Sequence, residues 1–417
     1  MRTATIMTIV ALAAAFALSG CGSENGDTIT IVFAAGNDPS GATASLIERY
    51  NATHPGVEVR FQIMPANTDT QHDAYVTYLS AHESSIDLYS LDVIWTAEFA
   101  RAGWVEPLPE AIVHPEEFLS GPIASVTYEG KIYAVPWFTD AGVLYYREDL
   151  LEDAGLSVPQ TWDAFVAACE AVVTSSDMDG FVWQGARYEG LVCNFLEYLW
   201  GVGGSLDPDH LLAEPELAAS EITETLNLMS GLIANDAVTP RSVLTYKEED
   251  ARRLFTEGRS LFLRNWPYAW GMAEEEGSKV IGKTGIAPLP HAKNRTSYST
   301  IGGWNIALSS FSEHRQEALE FLSFITSEEA LRLRAIEGSY MPTRLVTYED
   351  PAVLEANPHF ADFFEVFKNT RNRPRSPHYP RISDVIQENV HRALSGEITS
   401  KAAAEKIVTE LADILSQ

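Results

Sequence analysis

Residues 28–63 read TITIVFAAGNDPSGATASLIERYNATHPGVEVRFQI, and three successive rhythms in them decide the fold. Thr28 to Phe33 is a β-branched run that reads as a strand, and it enters a loop at Ala35-Gly36-Asn37-Asp38-Pro39. From Thr43 to Asn51 the apolar residues Leu46, Ile47 and Tyr50 fall at helical spacing, until His54-Pro55-Gly56 breaks the pattern. Val57, Val59, Phe61 and Ile63 then alternate with Glu58, Arg60 and Gln62, which predicts a strand with one buried face. Strand, helix, strand is the unit from which a parallel sheet is built, and ligands of such sheets gather at the loops after the strand C-termini.

Working outward, the same alternation recurs. A helix is expected from about Thr70 to Ala81, a strand from Ile86 to Asp92, and a helix from Thr96. Tyr133–Trp137 leads into Val143–Tyr146, and the stretch from Asp149 to about Asn235 reads as strongly helical. Thr161 before Trp162 has the form of a helix start, and Thr326-Ser327-Glu328-Glu329 has that of a capping box. Gly303–Leu308 is strand-like, helices resume near His314, and amphipathic helices over Ser383–Leu394 and Thr399–Leu415 are expected to close over a lobe.

A chain of 417 residues is too long for one hydrophobic core, so two lobes are the expectation. Hydrophobic residues make up 46% and charged residues 21%, which supplies material for both cores and excludes a disordered chain. The 58 acidic residues against 29 basic ones give a formal charge of −29. Such a surface repels phosphate backbones, so nucleic acid is excluded as a partner, while a neutral ligand meets no barrier.

The N-terminus, MRTATIMTIVALAAAFALSGC, has a positive Arg2, an apolar run from Ile6 to Leu18 and a Leu-Ser-Gly-Cys junction. That is the pattern of a bacterial lipoprotein signal over residues 1–20, with Cys21 lipidated and residues 21–27 as a tether. The expected location is therefore the cell envelope, on the periplasmic or extracellular face of a membrane. Cys169 and Cys193 remain in the body; both have apolar neighbours, and they read either as small core residues or as a disulfide that export would permit.

No phosphate-binding loop, dinucleotide fingerprint, nucleophile elbow, HExxH motif or paired-cysteine spacing occurs, and the ten histidines are scattered, so neither metal nor cofactor is expected. What recurs is an acid or an aromatic residue at a strand end or loop. Asp69 sits in NTDT, Asp92 and Trp95 in LDVIW, Trp137, Phe138 and Asp140 in PWFTDAG, Trp266 and Tyr268 in NWPY, and Gly303 and Trp304 in GGWN. In RNWPYAWG, Pro267 holds the chain extended or turned; if extended, Trp266, Tyr268 and Trp270 share one face as an aromatic wall. Sugars need such pairs: the C–H face of a pyranose suits the negative face of an aromatic ring, and carboxylates accept from its hydroxyls.

The stretches FVWQGARYEG (181–190), LVCNFLEYLW, GGSL, NWPYAWG, GIAPLPH, GGWNIALS and RPRSPHYP from Arg373 together resemble the solute-binding lipoproteins of ABC sugar importers, the trehalose/maltose-binding branch in particular. The resemblance implies an α/β, two-lobe periplasmic-binding-protein-like fold of type II. Each lobe would hold a mostly parallel sheet flanked by helices, with the ligand in the cleft between lobes. Residues 28–137 plus 296–342 would form the first lobe and 138–295 plus 343–417 the second.

Carried over by motif, Asp92 and Asp140 accept hydroxyls, Trp266 and Tyr268 stack, Gly303 and Trp304 give a backbone donor and a second aromatic surface, Arg373 donates in a fork, and Asp69 lies near the cleft mouth. The implied protein is a monomer that hands a neutral di- or oligosaccharide, an α-glucoside such as trehalose or maltose, to a membrane permease. The loop GNDPSGAT has Gly41 where the branch places a glutamate, and TQHDAY lacks its basic residues, so the sugar itself stays open. Two other classes compete: a glycoside hydrolase using Asp92 and Asp140, and an adhesin or signalling protein that has kept the fold and lost the ligand.

Overall fold

A computed structural model describes residues 28–416 except 176. The expected signal segment, the lipidation site Cys21 and the tether lie outside these residues. In chain order the strands that build the two main sheets are β1 (Ile29–Ala35), β2 (Val57–Ile63), β3 (Leu88–Asp92), β4 (Val135–Ala141), β5 (Val143–Arg147), β6 (Asp179–Val182), β7 (Ser260–Asn265), β8 (Thr284–Ala287), β9 (Ser299–Leu308) and β10 (Thr370–Arg371). The opening stretch folds as read: β1 and β2 are parallel, Ile29 beside Val57 through Ala35 beside Ile63, joined by the helix Ala42–Thr53.

Two sheets result. The first has the order β10-β9-β3-β1-β2, with β4 also on β9; the second has the order β8-β5-β7-β6. Each carries its own core. Phe33, Tyr75, Leu91, Phe99 and Phe321 are among the buried residues of the first, and Phe165, Trp183, Phe195, Phe262 and Ile407 among those of the second. The helices Tyr379–Leu394 and Ser400–Leu415 pack together and against Pro215–Ile233, which closes over the second core. Cys169 and Cys193 are buried free thiols, so the disulfide alternative falls away.

Two expectations need correction. The second sheet is not mostly parallel, because β5 pairs antiparallel with both β7 and β8, and only β6 and β7 run parallel. The cause is connectivity: β5 follows β4 after the single residue Gly142, so its direction is inherited from the first sheet rather than set by a crossover helix. The run from Asp149 to Asn235 is also not all helix, since β6 interrupts it. A four-residue buried strand carries no alternation that would separate it from a buried helical turn.

The crossing between sheets is tightly built. Gly142 donates its N–H to the Thr300 carbonyl (3.3 Å), and the Thr300 N–H donates to Glu197 Oε1 (3.1 Å). The other Glu197 oxygen accepts from Arg264 Nε (2.8 Å), and the pair is 4% and 1% exposed. A β-carbon on Gly142 would lie 2.0 Å from Glu197 Oε1 and 2.3 Å from Arg264 Nη2. Gly142→Ala must therefore push this ion pair apart, and a loss of about 1–3 kcal/mol or more is expected, read as a lower urea midpoint with an unchanged slope.

Candidate functional site

Six of the predicted residues, Asp92, Trp137, Phe138, Asp140, Gly303 and Trp304, lie on the three neighbouring strands β3, β4 and β9. Strand β9 runs between the other two, placing Trp304 beside both Asp92 and Phe138, Gly303 beside Thr139 and Gly302 beside Asp140. Gly303 has φ 125°, in the region that favours glycine, and a β-carbon there would lie 2.5 Å from the Phe138 carbonyl oxygen. A β-carbon on Gly302 would lie 2.9 Å from Trp266 Cζ3 and 3.3 Å from Asp140 Cβ. The bare backbone at Gly302 is thus what lets a tryptophan from the second sheet meet an aspartate of the first.

Arg373 ties the two lobes. Its Nη2 donates to Asp92 Oδ1 (2.7 Å), at the end of β3, and its Nη1 to Glu189 Oε1 (2.8 Å), at the start of the helix Glu189–Val202. Tyr379 and Ser383 hydroxyls also donate to Glu189. Both terminal nitrogens of Arg373 are taken up by protein carboxylates, and its buried Nε has no partner among the described residues. Burial pushes the Asp92 and Glu189 carboxyls up, and Arg373 opposes this in both. Asp69, half-buried in the first turn of Thr68–Ser80, accepts from Gln387 Nε2 at 3.4 Å. Burial, with Glu189 adding its negative charge, pushes it up to about 6.

Asp140 differs from these acids. It is half-buried and receives no hydrogen bond from any described residue, and burial pushes its carboxyl up to about 7. Its oxygens are therefore open acceptors. Trp266, also half-buried, has the Arg264 guanidinium 4.2 Å from its ring centroid and its carbonyl held by the Tyr145 hydroxyl (2.9 Å). Tyr268 donates its hydroxyl to Glu249 (2.7 Å).

The three-ring wall does not form. Strand β7 ends at Asn265, the chain turns through Pro267, and Trp270 lies in the short helix Ala269–Ala273, stacked on His359 at 4.7 Å in a separate core. Trp95 and Trp137 are each 3% exposed and belong to the first core. Trp95 meets Trp304 edge-on at 5.4 Å, so it backs the half-buried Trp304. Phe138 is half-buried beside Tyr340 at 4.9 Å.

Glu189, Glu197, Arg264 and Arg334 were missed as functional positions. For Arg264 a signal existed: a lone cation directly after the apolar run Leu261-Phe262-Leu263, which a buried strand tolerates only with a partner. At the surface His114, Glu116 and Glu117 bring ligand atoms within 4.8 Å of one another, a grouping overlooked in the scattered histidines; exposed carboxylates gather in this way without a metal, and Glu117 also pairs with Arg344.

Comparison with known proteins adds to this geometry. The profile of the family described as "Bacterial extracellular solute-binding protein" matches residues 35–331. A "Probable ABC transporter-binding protein" of Deinococcus radiodurans is 33% identical over 376 residues, covering 87% of this chain and 88% of that protein. A "Maltotriose-binding protein" of Pyrococcus abyssi is 23% identical, covering 84% and 74%. Among solved structures, "Maltose bound T. maritima MalE3" superposes with a TM-score of 0.86 at 41% identity, over 93% of this chain and 100% of that one.

Proposed function

Because the chain belongs to the bacterial extracellular solute-binding proteins, we propose that it captures a neutral di- or oligosaccharide between its two lobes, an α-glucoside such as maltose or trehalose, and delivers it to the membrane permease of an ABC importer. The observation that carries this reading is the open acid Asp140, on the first sheet, and the ring of Trp266, just past the end of a strand of the second, which approach each other across Gly302. A sugar seated there stacks on the indole and donates hydroxyls to the acid. Contacts from both lobes favour the closed form, which is the form a permease distinguishes from the open one. The 41% identical protein has maltose bound, which supports a glucoside over other sugars.

In this reading the protein is a monomer held to the membrane by a lipid on Cys21, and residues 28–137 with 296–342 move against 138–295 with 343–417. The family consists of transport proteins rather than enzymes. Asp92 is already engaged by Arg373, which removes one of the two free carboxyls that glycoside hydrolysis requires.

A thermal-shift screen over maltose, trehalose and sucrose tests the proposal. A ligand at a hundred times its Kd stabilises the folded protein by about 2.7 kcal/mol, so one of these sugars should raise the melting temperature by several degrees with no reducing ends released on incubation. A flat response to every sugar contradicts it.

A further inference from the structure

Arg334, on the helix Glu328–Gly338, is a buried cation without a carboxylate bound to it. It is 2% exposed, and its Nε and Nη1 have no hydrogen-bond partner among the described residues. Its guanidinium carbon instead lies 3.7 Å from the Trp137 ring centroid, 4.0 Å from Tyr340 and 4.8 Å from Phe138. A charge removed from water in this way is strongly unfavourable unless something compensates it, and an aromatic cage supplies only part of that.

The cage is a product of strand geometry. Along β9, Trp304 faces Phe138 and the next residue, Asn305, faces Pro136, so Trp137 is an extra residue in β4. Such a bulge re-aims side chains, and here both Trp137 and Phe138 reach Arg334. Asp140 lies two residues beyond Phe138, on the same face of the strand. The other nearby anion, Asp38, is saturated. It accepts from the Ser40 and Thr43 N–H groups (3.0 and 2.8 Å), from both of their hydroxyls and from the Tyr340 hydroxyl (2.9 Å). Among the described residues none donates a hydrogen bond to Asp140.

We propose that Arg334 is a positioning residue of the binding site: a cation held off by its aromatic cage, whose charge acts on Asp140 while leaving both carboxylate oxygens open to the hydroxyls of a ligand. The inference rests on the reading of Asp140 as a ligand acceptor. An arginine bound directly to Asp140 would supply the same charge but take up an acceptor oxygen, as Arg373 takes up Asp92 Oδ1.

The groups that act on Asp140 divide by sign. Burial and Asp92 raise its carboxyl; Arg334 and, less strongly, Arg264 lower it, leaving it at about 7. Tyr145, Tyr340 and Tyr348 also lie near, each held above its ordinary value by burial and so uncharged at neutral pH. Since the ionised acid is the better acceptor, sugar affinity rises as pH rises through about 7 and falls below it. Removal of Arg334 moves that midpoint upward.

The test is a carbon-13 titration of the aspartate carboxyls in the full ligand-free chain, with Asp140 assigned by Asp140→Asn, alongside Kd for the best-binding sugar from pH 5.5 to 9. Wild type should titrate at or below about 7. In Arg334→Met and Arg334→Gln the midpoint should rise to about 8 or beyond, leaving about a tenth of the acid ionised at pH 7 instead of half. Affinity at pH 7 then falls about fivefold and recovers by pH 9, and Arg334→Lys stays near wild type. An unmoved midpoint in a folded neutral variant overturns the inference, as does a wild-type midpoint well above 8 should neither variant fold. Failure of the functional reading has a different signature: wild type binds no sugar, or Asp140→Asn binds as well as wild type, whatever the titration gives.

Discussion

Glu197→Ala should lose about 3–5 kcal/mol of stability, the largest effect expected of any single substitution discussed here. The carboxylate holds Arg264 through two nitrogens and accepts the Thr300 N–H. Without it, a guanidinium that is 1% exposed keeps only the Gln184 side-chain oxygen, at 3.1 Å, and a buried amide loses its acceptor. Urea unfolding followed by tryptophan fluorescence reads the loss directly. The double substitution Glu197→Leu with Arg264→Met should recover most of it, because an apolar pair of similar volume removes the stranded charge. A single variant within about 1 kcal/mol of wild type would mean that water reaches the site.

Trp266→Ala should weaken sugar binding by about thirtyfold, which corresponds to about 2 kcal/mol of lost ring contact. The fold should tolerate the change better than it tolerates Glu197→Ala, since Trp266 is half-buried and stands at the end of β7 rather than within a core. Calorimetric titration of both proteins with the best-binding sugar measures the difference. Equal Kd values would mean that the indole faces no ligand, whereas no binding by either protein would make the adhesin or signalling reading the better account.

How far each part was legible in the sequence follows from the kind of signal it leaves. The first lobe could be read because its strands alternate: Val57, Val59, Phe61 and Ile63 record a buried face, and β2 has the predicted limits. The second sheet could not, because β6 is four residues long and the direction of β5 depends on where β4 ends. Acids and aromatics at strand ends were visible one at a time, and the structure brings Asp92, Asp140, Trp266 and Trp304 to one seam along β9. Their partners were not visible. Nothing local to Asp92 announces that Arg373, 281 positions away, will occupy it, whereas Asp140 has no such partner. Trp270 was misplaced because a period of two applies only while the chain stays extended, and Pro267 starts a turn.

The central claim is that one ligand touches Trp266 and Asp140 together, across the seam between the two sheets. A crystal structure with the sugar that gives the largest thermal shift tests it most directly. The account predicts a pyranose ring stacked on the Trp266 indole within about 4 Å, with a hydroxyl within about 3 Å of an Asp140 oxygen. A sugar bound elsewhere, with Asp140 facing only water, would contradict it.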